Sequence, residues 1–205
     1  MNKFSLTFSL FLFSTIELFA RAGGGGGGFF HTLSRNPITF VFAFVVALII
    51  GVIIRLRIIR TRKRLARFAE LDKTWDFKKL KQTVEHTYFK VQNAWNDDNL
   101  EPVQHLLTEK MSKKLRFQLD YYKKINKKNI LEEIKLNSVD IISAKDYEDN
   151  SKDMFKASIS GSMIDYDLNL KTGKKHGNHR FSESFGELWT FKRSEDSWLL
   201  DEIKS

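Results

Sequence analysis

The chain has 205 residues, 42% of them hydrophobic and 29% charged, with 18 Phe, two Pro and no Cys. That composition excludes a disordered, proline-rich or collagen-like chain, and it excludes disulfides, thiolate nucleophiles and cysteine-based metal sites. The net charge of +9 is local, because residues 55–67 carry seven basic side chains and no acid, while residues 68–205 carry 24 of each sign. The globular part is therefore neutral, which argues against a nucleic-acid-binding domain.

The N-terminus runs Met1-Asn2-Lys3, then apolar from Phe4 to Phe19, then Ala20-Arg21-Ala22. A positive start, an apolar stretch and an A-x-A exit make the pattern of a secretory signal, with cleavage after Ala22. An uncleaved anchor is the other reading, since Glu17 and Arg21 interrupt the pattern. Residues 23–37 open with six glycines, Gly23 to Gly28. Glycine buries nothing and loses the most entropy on ordering, so this is a flexible spacer. It lacks the strand and the G-K-[ST] element of a phosphate loop.

Residues 38–54 are uncharged and almost wholly apolar. They are expected to form one transmembrane helix, which Leu56, Ile58 and Ile59 extend. The basic block Arg55, Arg57, Arg60, Arg62, Lys63, Arg64 and Arg67 follows at once. The positive-inside rule places that block, and everything after it, in the cytoplasm. Residues 55–72 then read as a juxtamembrane helix whose cations attract anionic lipid headgroups, at about 1 kcal/mol per residue near the surface.

Residues 73–205 read as one cytoplasmic domain. Phe77, Leu80, Val84, Tyr88, Val91 and Trp95 recur at intervals of three and four, one face of an amphipathic helix. Asn96-Asp97-Asp98-Asn99 ends it. Pro102 is expected in the first turn of a second helix, with Val103, Leu106, Leu107, Met111 and Leu115 on its apolar face and Leu119 as an extension. Lys110 to Lys128 reads as a solvated basic helix face, with anionic lipid as the other reading.

From Ile130 the period changes to that of strands. Ile134, Leu136, Val139 and Ile141 suggest the first. Phe155, Ala157, Ile159 and Gly161 alternate with polar residues and continue through Met163 to Leu170, with a bulge at Gly161. Lys171 to Arg180 reads as a hairpin loop. Phe181 to Phe191 and Trp198 to Ile203 complete the strands. Helices followed by antiparallel strands give an α+β domain, a curved sheet with helices on its concave face.

Two stretches carry a family resemblance. Phe89-Lys90-Val91-Gln92-Asn93-Ala94-Trp95, with Asp98, Leu100 and Leu107-Thr108, is similar to the helical half of the Tim44-like domain. Phe185-Gly186-Glu187-Leu188-Trp189-Thr190-Phe191-Lys192-Arg193, with Trp198-Leu199-Leu200-Asp201-Glu202-Ile203, resembles its closing strand pair. Bacterial members also resemble this chain in a signal-like segment, a glycine-rich tract and one span before the domain. The resemblance implies a cone-shaped fold like nuclear transport factor two, with an apolar pocket between helices and sheet. It implies a membrane-associated binding module, connected in mitochondria with protein import and lipid contact, in a bacterial inner membrane. The long charged N-terminal region of the mitochondrial protein is missing here, which counts against a motor-anchoring role. The family has no catalytic residues to carry over.

The candidate chemistry is sparse. Phe89, Trp95, Tyr166, Phe185, Trp189 and Trp198 are candidate pocket-lining residues, although such aromatics more often pack. His176 and His179 are three apart, but no third ligand stands at useful spacing, so no metal is expected. Asp97-Asp98 and Glu132-Glu133 read as caps and solvated charge. The function expected is a non-enzymatic membrane module without cofactor, partnered by anionic lipid and by translocation or assembly machinery. The alternative is a cone-fold enzyme acting on a small apolar substrate. It needs a buried, perturbed polar residue among Asp165, Tyr166, Asp167, His86 and His105.

Overall fold

A computed structural model describes residues 37–204, and side-chain surroundings from residue 41 onward. The expected signal and the glycine tract lie outside the described residues. The chain divides into two units, one ending at Ile54 and one spanning Arg55–Lys204.

Helix α1 covers Pro37–Leu71. Among the described residues it is the one helix long and apolar enough to cross a membrane, over Val41–Leu71, and none of its most apolar window is buried. Phe42, Phe44, Leu48 and Ile49 stand largely exposed. That pattern is the reverse of a core helix and fits a single-pass membrane anchor.

In the second unit, Asp72 opens a 3₁₀ turn, Lys73–Trp75, by accepting from the Thr74 amide. Asp76 caps α2, Phe77–Asn96, by accepting from the Lys79 amide at 2.9 Å. The predicted apolar face is the buried one: Leu80, Val84, Tyr88 and Val91 all sit in the core. A 3₁₀ turn, Glu101–Leu106, holds Pro102 near its start. The expected second helix does not begin there. Helix α3 is Glu109–Lys124, capped by the Thr108 hydroxyl, which accepts from the Met111 amide at 3.2 Å. Leu107 between the two elements is extended and bridges to Leu200, so the sheet interrupts the helix.

Four strands follow: β1 Lys127–Lys145, β2 Met154–Asn169, β3 Lys175–Ser194 and β4 Ser197–Lys204. They form one sheet in sequence order, and every pair is antiparallel. This is the expected α+β class. The hairpin loop is shorter than expected, because β3 starts at Lys175 and pairs Leu168 to Lys175. The β3 segment before Arg180 is polar and largely exposed, with Asn178 and His179 half-buried, so no apolar alternation announced it.

The bulges also differ in place. Gly161 pairs with Leu136 between two irregularities that lie in β1, and β2 shifts register later, between Met163 and Asp165. Gly161 has another reason to be glycine. A Cβ there would collide with the Lys135 carbonyl and the Phe185 ring.

The core lies between the helices and one face of the sheet. Leu65, Trp75, Leu80, Val84 and Met111 meet Ile141, Phe155, Ile159, Trp189 and Leu200. Phe155 and Phe191 stack with centroids 4.8 Å apart, and Trp198 meets the Phe155 ring edge-on at 5.0 Å. Arg193 is buried and donates to both Asp72 and Asp153, which joins the start of the domain to the sheet.

Candidate functional site

Four regions bear on function, three of them holding side chains expected from the sequence. The first is the basic stretch of α1. Its seven cations are all exposed. Helical spacing explains this, since Thr61 and Leu65 turn inward between them. Thr61 donates to the Ile142 carbonyl at 3.1 Å, and Arg64 donates to the Ala144 carbonyl at 3.4 Å. Arg62 lies over the Phe77 ring, 5.1 Å from its centroid. Arg64, Arg67 and Phe68 meet Lys145, Asp146 and Tyr147 around a shallow groove of about 510 Å³. Three cations face one acid there, and Asp146 accepts from Trp75 Nε1 at 3.1 Å. The groove carries an excess of positive charge.

The second region is the outer face of α2. His86, Phe89, Lys90 and Asn93 line a shallow groove of about 370 Å³. Phe89 is the one predicted pocket residue found at either of these two grooves.

The other predicted pocket aromatics are in packing. Trp189 is fully buried. Phe185 stacks on Tyr88 at 5.9 Å, and Trp189 meets the same ring at 5.6 Å. Trp198 is buried and donates to the Thr74 carbonyl at 3.2 Å. Trp95 is half-buried and donates to Asn129 Oδ1 at 2.9 Å. Tyr166 is buried, with its hydroxyl on Glu132 Oε1 at 2.9 Å. Each ring fills a gap that a neighbour leaves, so none of these five lines either groove.

The third region is a pair that sequence reading missed. Phe185, Glu187 and Trp189 alternate along β3 on the side that meets α2. Tyr88 contacts the rings on either side of Glu187. Glu187 accepts from Trp189 Nε1 at 2.7 Å. Burial pushes the Glu187 carboxyl above its usual range, and the Trp189 N–H opposes the shift. Burial, with Glu187 beside it, also pushes the Tyr88 phenol up. The Tyr88 hydroxyl is buried without a hydrogen-bond partner among the described residues. Glu187 reads as an ordinary polar strand residue in sequence, and only its position beneath Tyr88 makes it unusual.

The fourth region is the distal end of the sheet. Asn129 Nδ2 donates to Asp165 Oδ1 at 2.6 Å, and Lys127 pairs with Asp167 at 3.3 Å. Lys175 lies over the Tyr166 ring at 4.6 Å. The enzyme candidates Asp165, Asp167 and Tyr166 thus hold strands together, while His86 and His105 are exposed. His179 lies edge-on to Tyr166 at 6.1 Å. Among the described residues no group of three His, Asp or Glu side chains could hold a metal.

A two-layer domain with exposed cations at its start and its closing strands latched back by Arg193 fits the resemblance. The family comparison decides it: residues 61–205 match the Tim44-like domain. The chain belongs to the Tim44-like domain family. No curated protein matches it. Among solved structures, the crystal structure of the intermembrane space region of the chloroplast protein ARC6 is similar at 13% identity with a TM-score of 0.45. That match covers 63% of this chain and 95% of the other.

Proposed function

We propose that this Tim44-like protein is a membrane-anchored, non-enzymatic binding module at the bacterial inner membrane. Its domain faces the cytoplasm and assists protein translocation or assembly machinery. The carrying observation is an unburied apolar helix followed by seven exposed cations, on a chain whose remainder matches the Tim44-like domain. The cations set the orientation and hold anionic headgroups. The predicted acids are engaged in structural bonds, which supports a binding role over a catalytic one. The neutral charge of the domain counts against nucleic acid as a partner.

Photo-crosslinking from Phe89 and Tyr147 in intact membranes tests the proposal. Capture of secretion or insertion machinery, or of nascent membrane proteins, is the expected result. Lipid adducts alone would reassign the module to lipid handling. Small-molecule adducts at Phe89 would favour the cone-fold enzyme, for which the unpartnered Tyr88 hydroxyl beside Glu187 is the supporting observation.

A further inference from the structure

Arg64, Arg67 and Phe68 near the end of α1 face Lys145, Asp146 and Tyr147 across one groove. Its charges are unbalanced in a definite way. The one acid among these residues, Asp146, already accepts from Trp75 Nε1. Arg67 and Lys145 are exposed and form no ion pair among the described residues. Arg64 gives one N–H to the Ala144 carbonyl. The rest of its five-donor guanidinium faces outward.

The walls of the groove are fixed from behind. Leu65, between the cations, is fully buried in the core. Phe68 rests on Trp75 with ring centroids 5.3 Å apart. On the other wall the Tyr147 amide donates to Asp153 Oδ1 at 2.8 Å. Asp153 is itself fully buried and paired with Arg193. A ligand therefore meets a backbone that is already ordered, which lowers the cost of binding.

The residue types favour a protein ligand over a lipid. Arg and Tyr are enriched where protein interfaces concentrate their energy, whereas Lys is depleted there. A guanidinium fork holds a carboxylate by two parallel hydrogen bonds, which an ammonium group cannot do. Position points the same way. The exposed apolar run of α1 ends at Ile59. At 1.5 Å per residue, Arg64 and Arg67 lie about 8 and 12 Å further along the helix. The headgroup layer adds only about 5–8 Å on each side of the hydrocarbon core. The groove begins where the headgroups end.

We infer that this groove binds an acidic segment of a partner protein, with carboxylates on Arg64 and Arg67 and an apolar side chain against Phe68 and Tyr147. The inference rests on the binding-module reading above and names the chemistry of the partner.

The full chain in phosphatidylcholine nanodiscs is offered a phage library of random dodecapeptides, depleted first on empty nanodiscs. Enriched peptides should carry at least two Asp or Glu beside an apolar residue. A fluorescein-labelled enriched peptide then reports affinity by anisotropy. R64Q and R67Q should each weaken it about tenfold, the scale of one charge-assisted bond. R67K should weaken it as well, because the charge stays and the fork is lost. Y147A should weaken it about threefold, as for a partly exposed apolar contact. R116Q, on an exposed α3 arginine outside the groove, should change nothing. All four native side chains are exposed, so every variant should keep the native Tm.

Enrichment without acids overturns the inference, as does affinity that ignores R64Q, R67Q and R67K. Displacement by glycerol phosphate, a soluble headgroup, as effective as by unlabelled peptide also overturns it, in favour of a lipid site. Machinery cross-linked from Tyr147 with no loss in R64Q and R67Q would remove this inference and leave the proposed function. Acidic peptides bound as stated, with no machinery captured in membranes, would remove that function and leave the groove standing.

Discussion

The two ends of the sheet are held by different physics. At one end, residues 139–145, 154–163 and 188–204 bury Ile141, Phe155, Ile159, Trp189, Phe191 and Leu200 against the helices. Stability there comes from apolar area and ring contact, which need no exact donor geometry. At the other end, residues 127–131, 165–169 and 175–178 are joined through Asn129, Asp165, Asp167, Lys127 and the Tyr166–Glu132 bond. Those bonds are partly exposed, and each one is worth less. The sheet thus has a rigid end of four strands and an adjustable end of three, β1 to β3, and the boundary is the register shift between Met163 and Asp165.

The difference can be broken from the rigid side first. Trp189→Ala should cost about 3–5 kcal/mol, as for a buried aromatic truncation, read by denaturant titration of the full chain in detergent. A loss under about 1 kcal/mol would contradict the packed end. Gly161→Ala should cost about 1–3 kcal/mol, because the added Cβ meets the Lys135 carbonyl and the Phe185 ring. On the adjustable side, Asn129→Ala should cost about 1 kcal/mol. Hydrogen exchange should then speed up at residues 127–131 and 165–169 while the amides of 188–194 hold. Uniform acceleration would show that the two ends are one cooperative unit.

A smaller test lies at the edge of the rigid end, where Glu187 pairs with Ile159. The Glu187 carboxyl sits above its usual value because burial disfavours its charge. The folded state therefore binds the proton more tightly than the unfolded one. That stabilisation is complete below about pH 4.5, the ordinary value, and is lost as pH rises through the folded value. Glu187→Gln keeps an acceptor for the Trp189 N–H and removes this loss. Its Tm advantage over the native chain should grow from pH 4 to pH 7, and a constant difference would refute the assignment. Lys113→Gln, on an exposed pair, should leave Tm unchanged.

Much of the rigid end was legible in the sequence. The three-and-four spacing of Leu80, Val84, Tyr88 and Val91 named the buried face of α2, and the alternation from Phe155 to Gly161 named the inner face of β2. Both are periodic signals that burial creates directly. The adjustable end carries no such signal. His176, Asn178 and Arg180 look like loop because their strand is polar on both faces. The break after Pro102 was hidden because Leu107 keeps the apolar pattern while pairing with a strand residue far along the chain. The aromatic residues were recognised, but composition cannot say whether a ring packs or lines a pocket. Glu187 and Tyr147 were missed for opposite reasons, one a polar group turned inward and one a ring turned out.

Thr108 caps α3 and also reaches β4. Its amide donates to the Leu200 carbonyl at 2.9 Å and its hydroxyl to Asp201 Oδ1 at 3.0 Å, across a sequence gap of 93 residues. Arg193 makes the same kind of late connection to Asp72. A ribosome adding ~5–20 residues per second needs roughly 5–20 s to cross the gap from Thr108 to Asp201. During that interval the apolar helix leaves the exit tunnel, while α3 lacks its bonds to β4 and Asp72 lacks Arg193. The order of synthesis therefore delivers the apolar helix first and the latch last, and the bonds that close the domain form only after that helix has left the ribosome.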